Sequence, residues 1–83
     1  MMLIEKQYIG EFKLPDATIS YYFIQKDNLY GVELVEDLNH TLKCTSEFFS
    51  EIKELALEFV TKLFNNKVTS TTLSEVLDDY LSL

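Results

Sequence analysis

Polar and apolar residues alternate through roughly the first half of this chain and then recur at intervals of three and four, so strands are expected first and helices afterwards. From Leu3 to Leu14, Ile4, Tyr8, Phe12 and Leu14 share one parity while Glu5, Gln7, Glu11 and Lys13 fall mostly on the other, the pattern of a half-buried strand. Pro15 and Asp16 suit the central positions of a type I turn. A second strand, TISYYFIQK, sets Ile19, Tyr21 and Phe23 on one face against Ser20, Tyr22 and Lys26 on the other. Asp27 and Asn28 tolerate positive φ better than most residues, which predicts a tight hairpin there. The third strand, LYGVELVED, places Tyr30, Val32 and Leu34 opposite Leu29, Gly31, Glu33, Val35 and Asp37. After a loop at residues 37–39, a shorter fourth strand is expected to end near Thr45, with Leu42 and Cys44 inward and Thr41, Lys43 and Thr45 outward.

The period changes at Ser46, a good N-cap residue just before Glu47 and an apolar series. Phe48, Ile52, Leu55, Ala56, Phe59 and Leu63 then predict one amphipathic helix of about 20 residues, about 30 Å long. It is expected to end at Asn65, Asn66 and Lys67, because asparagine adopts the left-handed cap conformation readily. With Thr69 as the next N-cap, Val68 and Leu73 occupy the positions of a hydrophobic staple. Leu73, Val76, Leu77, Tyr80 and Leu81 then share one face of a final helix, and Glu75, Asp78 and Asp79 lie opposite. The expectation is one α+β domain over residues 1–83: an antiparallel four-stranded β-meander over 1–45, then a helical hairpin over 46–83 packed on one face of the sheet, ββββαα.

LYGVELVE in the third strand and NKVTSTTLSEVLDDYL at the end of the chain resemble a family of small uncharacterised clostridial (low-GC Firmicutes) proteins, a domain-of-unknown-function family. That family has a Pro shortly after the Val-Thr that opens the final helix, where this chain has Ser70. The resemblance implies a bacterial source and a cytosolic setting, and it transfers no catalytic or binding residues.

Composition narrows the function classes. Fourteen Asp and Glu stand against seven basic residues, all of them Lys, for a formal charge of −7. Most of such a surface repels a phosphate backbone or an anionic membrane, and the bidentate guanidinium fork is missing altogether, so direct nucleic-acid binding and membrane association are not expected. One cysteine, Cys44, excludes an internal disulfide and fits a reducing compartment. MMLIEKQYIGEF reaches charge by its fifth residue, and no later run is long enough to span a bilayer, so a cytoplasmic protein is expected.

Candidate chemistry is sparse. His40 and Cys44 are the only His and Cys, and on a strand they would stand about 13 Å apart, too far for a nucleophile and its base. Zinc needs more ligands of these types than the chain holds, and neither a calcium loop nor a Gly-rich phosphate loop occurs, so no cofactor, no metal and no enzymatic activity are expected. Gly10 and Gly31, isolated within strands, mark bulges or close approaches, such as an aromatic ring lying across the backbone. On a helix, Glu47, Glu51, Glu54 and Glu58 fall within about 60° of one another, a negative stripe that is read first as a solvated face.

The apolar arc of the first helix also exceeds what one sheet can cover. Its far end, Phe49 with Lys53, Leu81 and Leu83, is the candidate interface for a protein partner or a second copy. The function expected is thus a non-enzymatic interaction or regulatory module, homodimeric in one form. The alternative is an acidic inhibitor or nucleic-acid mimic that docks on a basic protein surface.

Overall fold

The computed structural model describes residues 4–81, with side chains described as far as Asp79. Four ten-residue strands, β1 (Glu5–Leu14), β2 (Ala17–Lys26), β3 (Leu29–Leu38) and β4 (Thr41–Ser50), form one antiparallel sheet in the order β1-β2-β3-β4. Two helices follow, α1 (Lys53–Asn65) and α2 (Ser70–Leu81), which confirms the ββββαα order of an α+β domain.

Each hairpin is closed by two residues. Pro15-Asp16 needs no positive φ, as a type I turn requires, whereas Asp27 takes φ 55° and Asn39 and His40 take 50° and 70°. The turn between β3 and β4 therefore lies at Asn39-His40, one residue later than the expected loop, and it sets Leu42 opposite Asp37, Cys44 opposite Val35 and Thr45 opposite Leu34. A one-residue slip exchanges the faces of a strand. Leu42 and Cys44 consequently face outward and Thr45 faces the helices, the reverse of the sequence expectation.

β4 also runs on through residues 46–50, and α1 begins at Lys53 rather than at Ser46. The reason lies in β3: a fourth strand ending at Thr45 would leave the backbone from Tyr30 to Glu33 without pairing on that side, whereas Ser46, Glu47, Phe48 and Ser50 supply it. Phe49 is the extra residue of a bulge between Phe48 and Ser50. The Ser50 hydroxyl accepts a hydrogen bond from the Ile52 N–H (3.0 Å) and donates to the Ile52 carbonyl (3.2 Å), closing the turn into α1. Ile52, the N-cap residue, supplies no side-chain cap.

A second bulge divides β1. Ile9 is the extra residue between Tyr8, which pairs with Tyr22, and Gly10, which pairs with Tyr21. Tyr8 and Phe12, expected to share a face, are therefore on opposite sides of the sheet.

The core lies between the sheet and the helices. Ile19, Tyr21, Phe23, Val32 and Leu34 meet Ala56, Val60, Leu63, Leu73 and Leu77. Gly10 lets α1 approach: the Phe64 ring would stand 2.6 Å from a Cβ at Gly10, and it packs edge-on against Tyr21 with centroids 5.3 Å apart. α1 ends in a Schellman arrangement, Val68 N–H to Leu63 O and Lys67 N–H to Phe64 O, both 3.1 Å. Lys67 takes the left-handed position (φ 55°) that the sequence assigned to asparagine, and its ammonium sits 4.6 Å over the Phe12 ring.

Thr69 opens α2 as expected. Its carbonyl accepts from Leu73 N–H at 2.9 Å, and its own N–H donates to the Thr72 hydroxyl at 3.3 Å. Leu73 and Leu77 are buried and Val68 and Val76 pack on the core, so this helix belongs to the fold; Glu75, Asp78 and Asp79 are exposed.

Candidate functional site: the open face of the sheet

Both helices lie on the face that carries Tyr21 and Leu34, and the opposite face has no layer over it among the described residues. Strand pairing arranges that open face in rows. Lys13, Thr18, Asp37 and Leu42 form the row beside the Pro15 turn, followed by Glu11, Ser20, Val35 and Cys44, then Tyr8, Tyr22, Glu33 and Ser46. Lys6, Ile24, Gly31 and Phe48 come next, and Lys26 and Leu29 close the Asp27 end.

A polar network crosses the centre of this face. Lys6 Nζ donates to Glu33 Oε1 at 2.7 Å, reaching from β1 over β2 to β3, and Ser46 Oγ donates to Glu33 Oε2 at 3.1 Å from β4. The hydrogen bond to Glu33 is the main reason the Lys6 ammonium lies above its ordinary pKa of 10.5. Both oxygens of one carboxylate thus tie three strands together, and the aliphatic stem of Lys6 passes along its pairing partner Ile24. Ile24 is only 1% exposed and lies outside the helix-side core. Around the network the surface is apolar: Tyr8 packs edge-on against Tyr22 with centroids 5.7 Å apart, Tyr8 is 54% exposed, and Leu42 is 67% exposed. Desolvation, then Glu11 and Tyr22, lifts the Tyr8 phenol above its ordinary 10.0.

Gly31 shapes the same face. A Cβ there would collide with the Glu47 carbonyl oxygen, so β4 comes close at its bulge and Phe48 faces Ile24 across a position with no side chain.

Charge divides unevenly between the two sides. Lys6, Lys13 and Lys26 share the open face with Glu11, Glu33 and Asp37 and balance them. The remaining four lysines and eleven carboxylates, and with them the whole formal charge of −7, lie on the helical side, the rims and the turns.

The residues singled out in the sequence are dispersed. Glu47 is in β4, Glu51 is in the bend after it, and only Glu54 and Glu58 lie on α1, so no four-carboxylate helical stripe exists. It dissolves because the segment from Ser46 to Ser50 is strand, with a period of two. Glu58 pairs with Lys62 at 3.6 Å, both side chains well exposed. Phe49 is a half-buried bulge residue, edge-on to Phe59 at 5.1 Å, rather than the free end of a helix. Lys53 is the exposed first residue of α1, on the rim of a groove of about 120 Å³ shared with Glu5 and Gln7. The Leu81 side chain and Leu83 lie outside the described residues.

His40 sits in the β3–β4 turn and lines a shallow depression of about 300 Å³ with Asp16 and Asp37, while Cys44 is an exposed thiol on β4. Among the described residues, no group of three or more His, Cys, Asp or Glu is placed to hold a metal ion, and no helix is long and apolar enough to cross a membrane. The open face itself was missed by the sequence reading. Its one signal was Tyr22 and Ile24 beside Tyr21 and Phe23, apolar residues on both parities of a single strand.

No curated protein and no solved structure matches the chain. The family model of DUF6514, a family of unknown function, matches residues 1–83, the whole chain, and the protein belongs to that family.

Proposed function

We propose that this protein is a small non-enzymatic interaction module that docks through the open face of its sheet. The observation that carries this reading is the set of apolar residues Tyr8, Tyr22, Val35, Leu42 and Phe48 around a buried Ile24, on a face tied across by the Lys6–Glu33–Ser46 network and with no second layer on it among the described residues. Sheets of this kind usually keep a polar outer face, and an apolar one is characteristic of a surface that meets another. His40 in the β3–β4 turn and Cys44 on β4, the single His and the single Cys, lie on separate elements, which supports a role without catalysis. The resemblance of LYGVELVE and NKVTSTTLSEVLDDYL to clostridial sequences supports a bacterial, cytosolic setting.

Cys44, the single cysteine, exposed on this face, is a natural probe of its occupancy. At trace concentration in extract of source cells, its alkylation is expected to be slower than in buffer, and the double substitution Tyr8→Glu, Leu42→Lys should abolish the protection. Equal rates in extract and in buffer, both at trace and at high chain concentration, would sink the reading.

The second reading, an acidic decoy for a basic protein, draws support from the concentration of the net charge away from the open face. Ionic strength separates the two. A decoy loses affinity steeply as salt rises, whereas docking through a face whose charges cancel and whose centre is apolar loses far less.

A further inference from the structure

We infer that the occupant of the open face is a second copy of this chain, bound sheet to sheet about a two-fold axis that runs across the strands. The inference rests on the docking role proposed for that face and adds the partner.

Charge is the first argument. A chain of −7 repels its own copies over most of its surface, whereas on the open face three lysines and three carboxylates cancel. The order of those charges along the strands is the second. Next to the neutral Lys13 and Asp37 row, two rows are made negative by Glu11 and Glu33, and the following two are made positive by Lys6 and Lys26. An isologous contact applies one surface to itself. With the axis across the strands and between the Glu33 row and the Lys6 row, the rows of one copy are reversed over those of the other, so the Lys6 row of each sheet lies over its partner's Glu33 row and the Lys26 row over its partner's Glu11 row, twice. An axis along the strands would instead stack like charge on like.

Area and shape agree with this. Four overlapping rows of four strands cover about 26 by 19 Å, roughly 500 Å² per copy and about 1,000 Å² in total, the least that a specific interface needs. The molecule measures 36 × 34 × 17 Å, a slab two layers thick. Two such slabs joined by their sheets, about 10 Å apart, make a four-layer helix–sheet–sheet–helix body more nearly equal in its three dimensions than the single chain.

The test is sedimentation of the purified chain across a concentration series, with Cys44 alkylation followed in the same samples. The expected result is a shift from 9.7 kDa toward twice that mass, with the thiol protected as the dimer forms. Tyr8→Glu with Leu42→Lys should raise the dimer dissociation constant by on the order of tenfold or more, while the melting temperature of the monomer stays unchanged. Lys26→Glu and Glu11→Lys should each weaken the dimer, and their combination should recover it. A chain that stays monomeric up to about 1 mM overturns the inference and, if Cys44 is still protected in extract, leaves the docking role standing with another partner. A dimer that leaves Cys44 reactive and ignores the Tyr8 and Leu42 substitutions overturns the inference and places self-association on a different surface. A double charge variant weaker than either single one overturns the crossed-axis geometry.

Discussion

The two faces of the sheet are made by the same strands in the same registers, yet they reach different ends. On the helical face every large ring is met from within the chain: Tyr21 by Phe64 and, through its hydroxyl, by the Val68 carbonyl at 2.8 Å; Phe23 by Tyr30, stacked at 5.8 Å; Phe49 by Phe59. On the open face Tyr8 meets Tyr22 edge-on and one carboxylate is held by a lysine and a serine, yet Tyr8 and Leu42 remain about half exposed or more. The difference shows that an apolar residue in a strand does not by itself define the core. What defines it is whether the chain has a second element to lay over that side, and this chain has two short helices, both spent on the same face.

The comparison is open to direct attack, and the largest effect is expected from removing the cover. Truncation before Val68 deletes Leu73 and Leu77, each contributing about 1.5 to 3 kcal/mol of burial, and takes away the acceptor of the Tyr21 hydroxyl. A domain this small has a margin near the low end of the ordinary range of about 5 to 15 kcal/mol, so the shortened chain should be largely unfolded by circular dichroism. A truncated chain with the melting temperature of the full one would show that the helical face does not depend on α2.

Matched truncations of single leucines come next. Leu34→Ala, at a fully buried site under the helices, should cost about 2 to 5 kcal/mol in denaturant titration, whereas Leu42→Ala on the open face should stay within about 0.5 kcal/mol. Equal costs would mean that the open face is as much a core as the other.

Gly31→Ala tests the backbone rather than the burial. The added methyl meets the Glu47 carbonyl oxygen and the Phe48 Cα at 2.7 Å, atoms of a paired strand that move only together, so a loss of about 1 to 3 kcal/mol is expected. Gly10→Ala should cost less, because the Phe64 ring in its way can rotate.

The smallest effect is one of pH. Burial first, and the Glu36 carboxylate second, hold the Tyr21 phenol above its ordinary 10.0 in the folded chain. A raised folded pKa contributes stability that is complete below pH 10 and is lost as pH climbs from there toward the folded value. The melting temperature should therefore fall as pH rises above about 10, and Tyr21→Phe should flatten that fall while lowering the stability below it by about 1 kcal/mol through the lost hydrogen bond to Val68. A profile identical in the wild type and the variant would detach Tyr21 from the alkaline transition.

Much of this architecture is determined by local sequence. Alternation at Ile19, Tyr21 and Phe23, and at Tyr30, Val32 and Leu34, specifies the two central strands and their core faces. Turn residues at 15–16 and 27–28 specify two hairpins, and Thr69 with Leu73 specifies the start of α2. Each depends on dihedral preferences and periodicities that act over a few residues. What only the tertiary structure decided is the side on which the edge strands place their residues and where β4 gives way to α1. The bulge at Ile9 turns Tyr8 away from Phe12, the register set by Asn39-His40 puts Leu42 and Cys44 outside, and the pairing demand of β3 keeps Ser46 to Ser50 extended although their spacing also fits a helix. These are choices between conformations of nearly equal local cost, and backbone hydrogen bonds to a neighbouring strand settle them. The open face arises from the same choices, because Tyr8, Cys44 and Phe48 come to lie beside Tyr22 and Ile24 only once two bulges and one turn have fixed the register.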